Sequence, residues 1–242
     1  MKLTFFGSSH GVPEPGRRCA SILIEVGENR YFIDMGTQSI EKLIDRKIPI
    51  DCVKAIFVTH MHGDHTDGLI SFVDLCNWYF KTANPTFYLP GDALKAKSVI
   101  ESWLSCNGSE IRPFDFRQVT EGKLYDDGII RLTAYKTMHT ADSYAYLMEA
   151  EGKRVLFSGD LKGRTAEDFP LQALENGLDL AICECAHFEA TVYLPYFQNR
   201  QDVKKLCFNH YSDRFFPSVL AVENTLTHID TFHATDDMEI LL

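Results

Sequence analysis

The sequence predicts an α+β fold in which β-sheets stack face to face and helices cover their outer sides. Two observations predict it. Short β-branched or aromatic runs follow one another in series and are broken by helical segments only at intervals, whereas a parallel α/β sheet alternates the two. Hydrophobic residues make up 45% of the 242 positions, enough for one core without disulfide staples. No repeat and no Gly/Pro cluster marks a boundary, so residues 1–242 read as a single domain.

Residues 3–6, 21–26 and 30–35 are strands separated by Gly-containing turns. Helix 39–47 puts Ile40, Leu43 and Ile44 on one face. The apolar strand 55–59 leads into a His-rich segment. Leu69, Ile70, Phe72, Val73 and Leu75 then give helix 66–80 a broad apolar face. Strand 86–89 precedes an amphipathic helix over 92–105, opened by an Asp92 cap. Residues 111–119 and 129–136 read as strands. Strands 143–150 and 154–158 flank Glu151-Gly152, a two-residue hairpin turn. Helix 166–176 stops at Gly177, and strands 178–183 and 203–209 are apolar enough to be buried. Helix 215–227 and strands 229–233 and 238–241 close the chain. Trp78, Tyr79, Phe80 and Trp103 fit apolar helix faces and are expected to pack in the core or an interface.

Asp plus Glu number 34 against 24 Lys plus Arg, a net charge of −10. Binding along duplex nucleic acid requires many phosphates to be neutralised, so that class is disfavoured, although a local basic groove is allowed. The seven cysteines, at 19, 52, 76, 106, 183, 185 and 207, are odd in number and scattered. They fit reduced, mostly buried thiols in a cytoplasmic protein better than a disulfide framework. No stretch suits a signal peptide or is long enough to span a bilayer, so no membrane partner is expected.

The chemistry is concentrated in residues 59–65, Thr-His-Met-His-Gly-Asp-His. In extended backbone, side chains two apart point the same way, so His60 and His62 can share one ion. Asp64 and His65 follow where the chain turns toward a helix and can face a second. Imidazole and carboxylate suit zinc, manganese or iron. Further candidates stand where apolar strands end: His139, Asp160 after Val155–Gly159, and His210 after Leu206–Asn209. Sites commonly form where loops leave a rigid sheet.

His-x-His-x-Asp-His, then a lone His, then Ser-Gly-Asp, then a His after a strand, in that order, resembles the metallo-β-lactamase superfamily over nearly the whole chain. The resemblance implies an αββα sandwich of two mixed β-sheets flanked by helices, with metals at one edge. It implies a first metal on His60, His62 and His139, a second on Asp64, His65 and His210, and Asp160 bridging them. Zinc is the first choice, with manganese or iron as alternatives. An Asp at the bridging position is unlike the antibiotic-hydrolysing branch. His62, where flavodiiron oxidoreductases carry Glu, speaks against redox chemistry.

Gly7-Ser-Ser-His-Gly-Val-Pro13 with Arg17, Arg18 and Ser21 is similar to the N-terminal segment of the ribonuclease Z and phosphodiesterase group. His210-Tyr-Ser-Asp-Arg214 and the ending Ala234-Thr-Asp-Asp-Met238 resemble that group's closing motifs. Two departures stand out. Ribonuclease Z carries a tRNA-gripping arm between the lone His and the bridging Asp, where only twenty residues separate His139 from Asp160. It also has a catalytic His-Glu-Ala-Thr segment, matched here by Cys183-Glu184-Cys185-Ala186, with Cys183 in the His place. His187 can supply the missing imidazole or be an ordinary surface histidine, and Glu184 can orient a histidine.

The expected activity is hydrolysis of a small or nucleotide-like phosphodiester by hydroxide held between two divalent ions, with Asp64 taking its proton. The alternatives are carboxylic ester, lactone or thioester hydrolysis, ribonuclease Z-like RNA processing, or a metal-binding module without turnover. His10 sits in the Gly-rich N-terminal loop as a rim residue, and Arg17, Arg18 and Arg214 are candidates to neutralise substrate phosphate. His228 and His233 are expected to be structural. The expected partner is a small molecule, with nucleic acid not favoured and a homodimer allowed. Substrate choice is assigned to loops 10–18, 106–128, 160–170 and 186–202.

Overall fold

The computed structural model describes residues 1–106, 108 and 110–242, so residues 107 and 109 of the 106–128 loop lie outside the described residues. Among the described residues the chain forms two seven-stranded sheets packed face to face. The first sheet is built from β1 (Lys2–Gly7), β2 (Ser21–Val26), β3 (Asn29–Ile33), β4 (Val53–Phe57), β5 (Thr86–Leu89), β6 (Asp115–Gln118) and the final strand, in the order β14-β1-β2-β3-β4-β5-β6. The second contains β7 (Gly122–Asp126), β8 (Arg131–Thr137), β9 (Ser143–Ala150), β10 (Lys153–Phe157), β11 (Leu180–Cys185), β12 (Lys205–Tyr211) and β13 (Asp230–His233), in the order β13-β12-β11-β10-β9-β8-β7. Strand β14 is Glu239–Leu241.

Both sheets follow one plan. An antiparallel meander, β1-β2-β3 in one and β7-β8-β9-β10 in the other, continues into parallel strands. Parallel strands need long crossovers, and these place helices on the outer faces. On the first sheet these are α1 (Ser39–Asp45), α2 (Gly63–Thr66), α3 (Gly68–Trp78) and α4 (Ala93–Ser105). Asp92 caps α4 by accepting from the Lys95 amide at 2.9 Å. The second sheet is covered by α5 (Leu194–Phe197), α6 (Phe216–Thr225) and single 3-10 turns.

Strand alternation divides the apolar residues into layers. Phe5, Tyr31 and Phe57 point between the sheets and meet Tyr146, Val155 and Ile182. Their neighbours Phe6, Phe32 and Ile56 point outward against Leu43, Phe72 and Ile100 of the helices. Leu156, Ala181 and Phe208 do the same on the other side against Phe169, Tyr193 and Val222. The two mixed sheets flanked by helices are the expected αββα sandwich.

Four local expectations are corrected. Segment 166–176 is not an α-helix, because Pro170 lacks the donor a helix interior needs, and only a 3-10 turn, Leu171–Leu174, forms after it. Strand 111–119 shrinks to β6, and β7 was not expected, since its GKLYD sequence is that of a polar edge strand. The short helical turns at Ala190–Tyr193 and Leu194–Phe197 were also missed. Trp78, Tyr79 and Trp103 are not core residues, being 47%, 77% and 67% exposed. They lie off the buried stripes of their helices, Leu69-Phe72-Val73-Cys76 and Ala93-Ile100-Leu104. Five of the seven thiols are buried, Cys106 is exposed, and none is disulfide-bonded. Among the described residues no helix is long and apolar enough to cross a membrane.

Candidate active site

The ends of β4, β8, β10 and β12 meet at one edge of the sandwich and bring seven donors together. Ligand atoms of His60, His62 and His139 lie within 4.8 Å of one another, as do those of Asp64, His65 and His210, and those of His60, His65 and Asp160. His62 Nδ1 is 2.9 Å from His60 Nε2 and 3.2 Å from His139 Nε2. His65 Nε2 is 3.3 Å from Asp64 and His210 Nε2 is 3.5 Å from it. Asp160 faces both groups: Oδ2 is 3.7 Å from His60, 3.6 Å from His139 and 3.4 Å from His210, while Oδ1 is 3.4 Å from His65.

This arrangement fits metal ions. A tetrahedral zinc with bonds of about 2.0–2.1 Å spaces its ligand atoms about 3.3 Å apart, close to what is seen here. His65 Nε2 and Asp160 Oδ1 are buried and have no hydrogen-bond partner among the described residues, an expensive condition for polar atoms unless something else satisfies them. Burial, followed by repulsion from His65, lowers the His60 pKa to about 2, so its ring is neutral and able to ligate. Burial alone would raise the Asp160 pKa, but the surrounding His210 and His65 hold it well below the ordinary carboxylate range.

Each donor is aimed by a local device. His60 and His62 follow β4 directly, and His62 leads into α2, which carries Asp64 and His65. Gly36 lets the chain pass Asp64, since a Cβ there would lie 1.7 Å from the Asp64 carbonyl oxygen. Gly159, at φ +57°, turns Asp160 inward, and a Cβ there would lie 2.8 Å from the Tyr144 carbonyl oxygen. His210 sits at a bulge. Glu184 pairs with Asn209 but Cys185 pairs with Tyr211, leaving His210 unpaired at φ 51° with its side chain turned into the site. Its Nδ1 is 2.9 Å from the Ser9 carbonyl, which fixes the donating proton there and leaves Nε2 for the cluster.

Two positioning residues were not anticipated. Asp34, at the end of β3, accepts from the Thr59 amide at 2.7 Å and lies 2.8 Å from His65 Nδ1, holding that ring from behind. A carboxylate ending an apolar strand before Met35-Gly36 was the available signal, the same one that exposed Asp160. Asp168 accepts from the Met138 amide at 2.6 Å and the Lys162 amide at 2.9 Å, tying the His139 and Asp160 loops together. The helical spacing of its neighbourhood gives no sign of that role, and Asp168 lies in a turn.

His187 lies beside the cluster, with Nε2 3.8 Å from Asp160 and Nδ1 2.9 Å from Glu184. Burial would lower its pKa, but the Glu184 hydrogen bond and charge raise it to about 9. Glu184 is buried and also accepts from the Leu161 and Ala186 amides at 2.9 and 2.7 Å. His10 is 3.2 Å from Glu14, and the adjoining Gly11 lies over Asp64. Arg17 is committed to ion pairs with Glu14 and Asp213 and stacks on Tyr211, and Arg18 pairs with Asp236 at 3.7 Å. Arg214 is exposed with its guanidinium 5.1 Å from the Phe215 ring centre. His228 and His233 lie outside the cluster, bonded to the Phe197 carbonyl and Glu223.

Residues 1–213 match the family described as Anti-Pycsar protein Apyc1. The chain belongs to that family. It falls in the metallo-β-lactamase superfamily, on the ribonuclease Z-like branch. A ribonuclease BN from Cronobacter sakazakii is 30% identical over 190 residues, which are 76% of this chain but only 62% of that protein's length. The fold is shared with human tRNase Z, short form, at a TM-score of 0.77 and 18% identity, covering 100% of this chain and 99% of that one. A diphosphatase of the PhnP family is similar at a TM-score of 0.70 and 17% identity, covering 100% of this chain and 97% of that one.

Proposed function

We propose that the protein is a dinuclear metal-dependent phosphodiesterase acting on a small, nucleotide-like phosphodiester. The observation that carries this is the convergence of seven donors in overlapping groups, with Asp160 facing both triads, His187 sharing a further group with His139 and Asp160, and two buried donor atoms without hydrogen-bond partners among the described residues. His60, His62 and His139 would hold one ion, Asp64, His65 and His210 the other, and Asp160 would bridge. Zinc suits this donor set, with manganese and iron as alternatives. When bound, such a pair supplies an acidified water and Lewis-acid polarisation of a phosphoryl oxygen.

The chain's own groups do the rest. Asp64 would accept the proton of the attacking water. His187, oriented by Glu184, presents Nε2 beside the cluster and would donate a proton to the leaving oxygen. Arg214 would meet substrate phosphate as an exposed cation, while Arg17 and Arg18 act through the ion pairs that hold the N-terminal loop and His10 at the rim. Relatives named as a ribonuclease and a diphosphatase support phosphate-ester chemistry. The charge of −10, and the simple hairpin filling the space between His139 and Asp160, favour a small diester over folded RNA. Free cysteines favour a cytoplasmic setting, and the shared core favours reading residues 1–242 as one unit.

The test is kcat/KM for bis(p-nitrophenyl) phosphate and for a precursor tRNA at physiological salt, with zinc and with manganese. The diester should be the far better substrate. Efficient tRNA 3′ cleavage by this chain alone would contradict the proposal. Failure on every small diester with turnover of a lactone or thioester would replace it with carboxylic ester hydrolysis.

A further inference from the structure

The turn between β13 and β14, Ala234-Thr-Asp-Asp-Met238, takes no part in the chemistry proposed above, yet it is anchored to both sheets. At its start the Ala234 amide donates to the Phe208 carbonyl of β12 at 2.8 Å, and the Tyr211 hydroxyl donates to the Ala234 carbonyl at 2.9 Å. At its end the Asp237 amide donates to the Phe5 carbonyl of β1 at 2.7 Å, and the Phe5 amide donates to the Met238 carbonyl at 3.0 Å. Asp236 stands between these anchors, so its carboxylate is fixed relative to both sheets.

That carboxylate is buried, its side chain 7% exposed, and it ties together the two ends of the loop over residues 8–18. One oxygen accepts from the Ser8 amide and the Ser8 hydroxyl, both at 2.9 Å, and the other from the Arg18 amide at 2.9 Å. Bonds to an ionised acceptor are roughly twice as strong as neutral ones. The two arms of the loop pass backbone to backbone here, since a Cβ on Gly7 would lie 1.8 Å from the Cys19 carbonyl oxygen. The Ser8–Ser9 peptide is then held from both sides. Its N–H donates to the Arg18 carbonyl at 2.8 Å, and its C=O accepts from the Arg17 guanidinium at 3.4 Å. The next carbonyl, that of Ser9, is the one 2.9 Å from His210 Nδ1.

We propose that Asp236 is a positioning residue of the site, aiming His210 through Ser8 and the Ser9 carbonyl. The proposal rests on the metal reading above, in which His210 shares an ion with Asp64 and His65. His210 needs such a hold, because the bulge leaves it outside the β11 pairing at φ 51°. The same loop lays Gly11 over Asp64, so it touches two donors of that triad. The neighbouring Asp237 makes a useful contrast. It bonds Lys42 and Arg46 of the α1 region, each at 2.7 Å, and secures the helix rather than the loop.

The test measures zinc affinity by chelator competition, together with Tm, for wild type, Asp236→Ala, Asp236→Asn and Asp237→Asn. Asp236→Ala should weaken one ion about tenfold and leave the other nearly unchanged, the low end of what losing a partner of a ligating histidine costs. Turnover of bis(p-nitrophenyl) phosphate should fall by a similar factor in kcat, with KM little changed. Asp236→Asn keeps an oxygen for Ser8 but turns an N–H toward the Arg18 amide, so its loss should be smaller. Asp237→Asn removes the charge facing Lys42 and Arg46 while tolerating the φ of 68°, and should lower Tm without changing zinc affinity or kcat. A further readout needs no metal. In 15N-histidine-labelled, metal-free protein the His210 Nδ1 proton should exchange with solvent roughly tenfold faster in Asp236→Ala than in wild type, and at the wild-type rate in Asp237→Asn. If Asp236→Ala does not fold, the same two measurements on Asp236→Asn decide the matter. Wild-type zinc affinity and proton exchange in the Asp236 variants would overturn the positioning role and leave the metal reading standing. So would losses that follow Tm alike in the Asp236 and Asp237 variants. A wild-type protein that takes up no zinc would overturn both.

Discussion

The two sheets contribute to the site in different ways. The first supplies His60, His62, Asp64 and His65 from one continuous segment at the end of β4, backed by a single buried carboxylate, Asp34. The second supplies His139, Asp160 and His210 one at a time, and each needs its own device: the Asp168 tether, the positive φ of Gly159 and the bulge at His210. The first half is built by local geometry and the second by the packing of distant strands. Metal binding by the second half should therefore be the more sensitive to backbone changes, and that by the first to loss of one supporting side chain.

Substitutions can break this comparison at graded depth. Asp160→Ala removes the one group facing both donor sets. It should reduce turnover below detection and weaken both metals, whereas His228→Ala should do neither, as read by steady-state kinetics and elemental analysis. Gly159→Ala should come next. The φ of +57° alone costs a non-glycine residue roughly 1–2 kcal/mol, and the Cβ would also press on the Tyr144 carbonyl. Urea unfolding should report at least that loss, accompanied by reduced activity.

Asp34→Ala should lower metal affinity about 10–100-fold, the usual effect of losing a carboxylate behind a ligating histidine. It should also cost about 1–3 kcal/mol through the Thr59 amide left unbonded. Competition with a chelator and urea unfolding separate the two effects.

The smallest effect lies where Asp127 accepts from Tyr31 of the first sheet at 2.6 Å and Tyr125 of the second at 3.0 Å. Burial would raise the Asp127 pKa, but the Tyr31 hydroxyl and the Ile130 and Ile129 amides lower it overall. A depressed folded pKa gives stability that is present above the unfolded value, about 3.9, and lost as pH falls through the folded one. Asp127→Asn should therefore lower Tm slightly at neutral pH, and the difference should vanish on acidification.

Local features were legible in the sequence. The His-rich segment needs no partner strand to be recognised, and the Glu151-Gly152 turn forms where Gly152 accepts the left-handed backbone, with Glu151 held there beside it. Asp160 and His210 could be found because each follows an apolar strand. Asp34 and Asp168 could not be assigned roles, since their partners His65 and Met138 lie 31 and 30 residues away. The apolar spacing of segment 166–176 is that of a helix, but Pro170 in its middle prevents one. Trp78, Tyr79 and Trp103 were misplaced because apolar character alone does not tell which side of a helix faces the sheet.

The central claim is that the two sheets together hold a pair of ions. Elemental analysis of protein purified without chelator tests it most directly. About two equivalents of divalent metal per chain are expected from seven donors with Asp160 between them. A consistent value of zero, with no uptake on adding zinc or manganese, would contradict it.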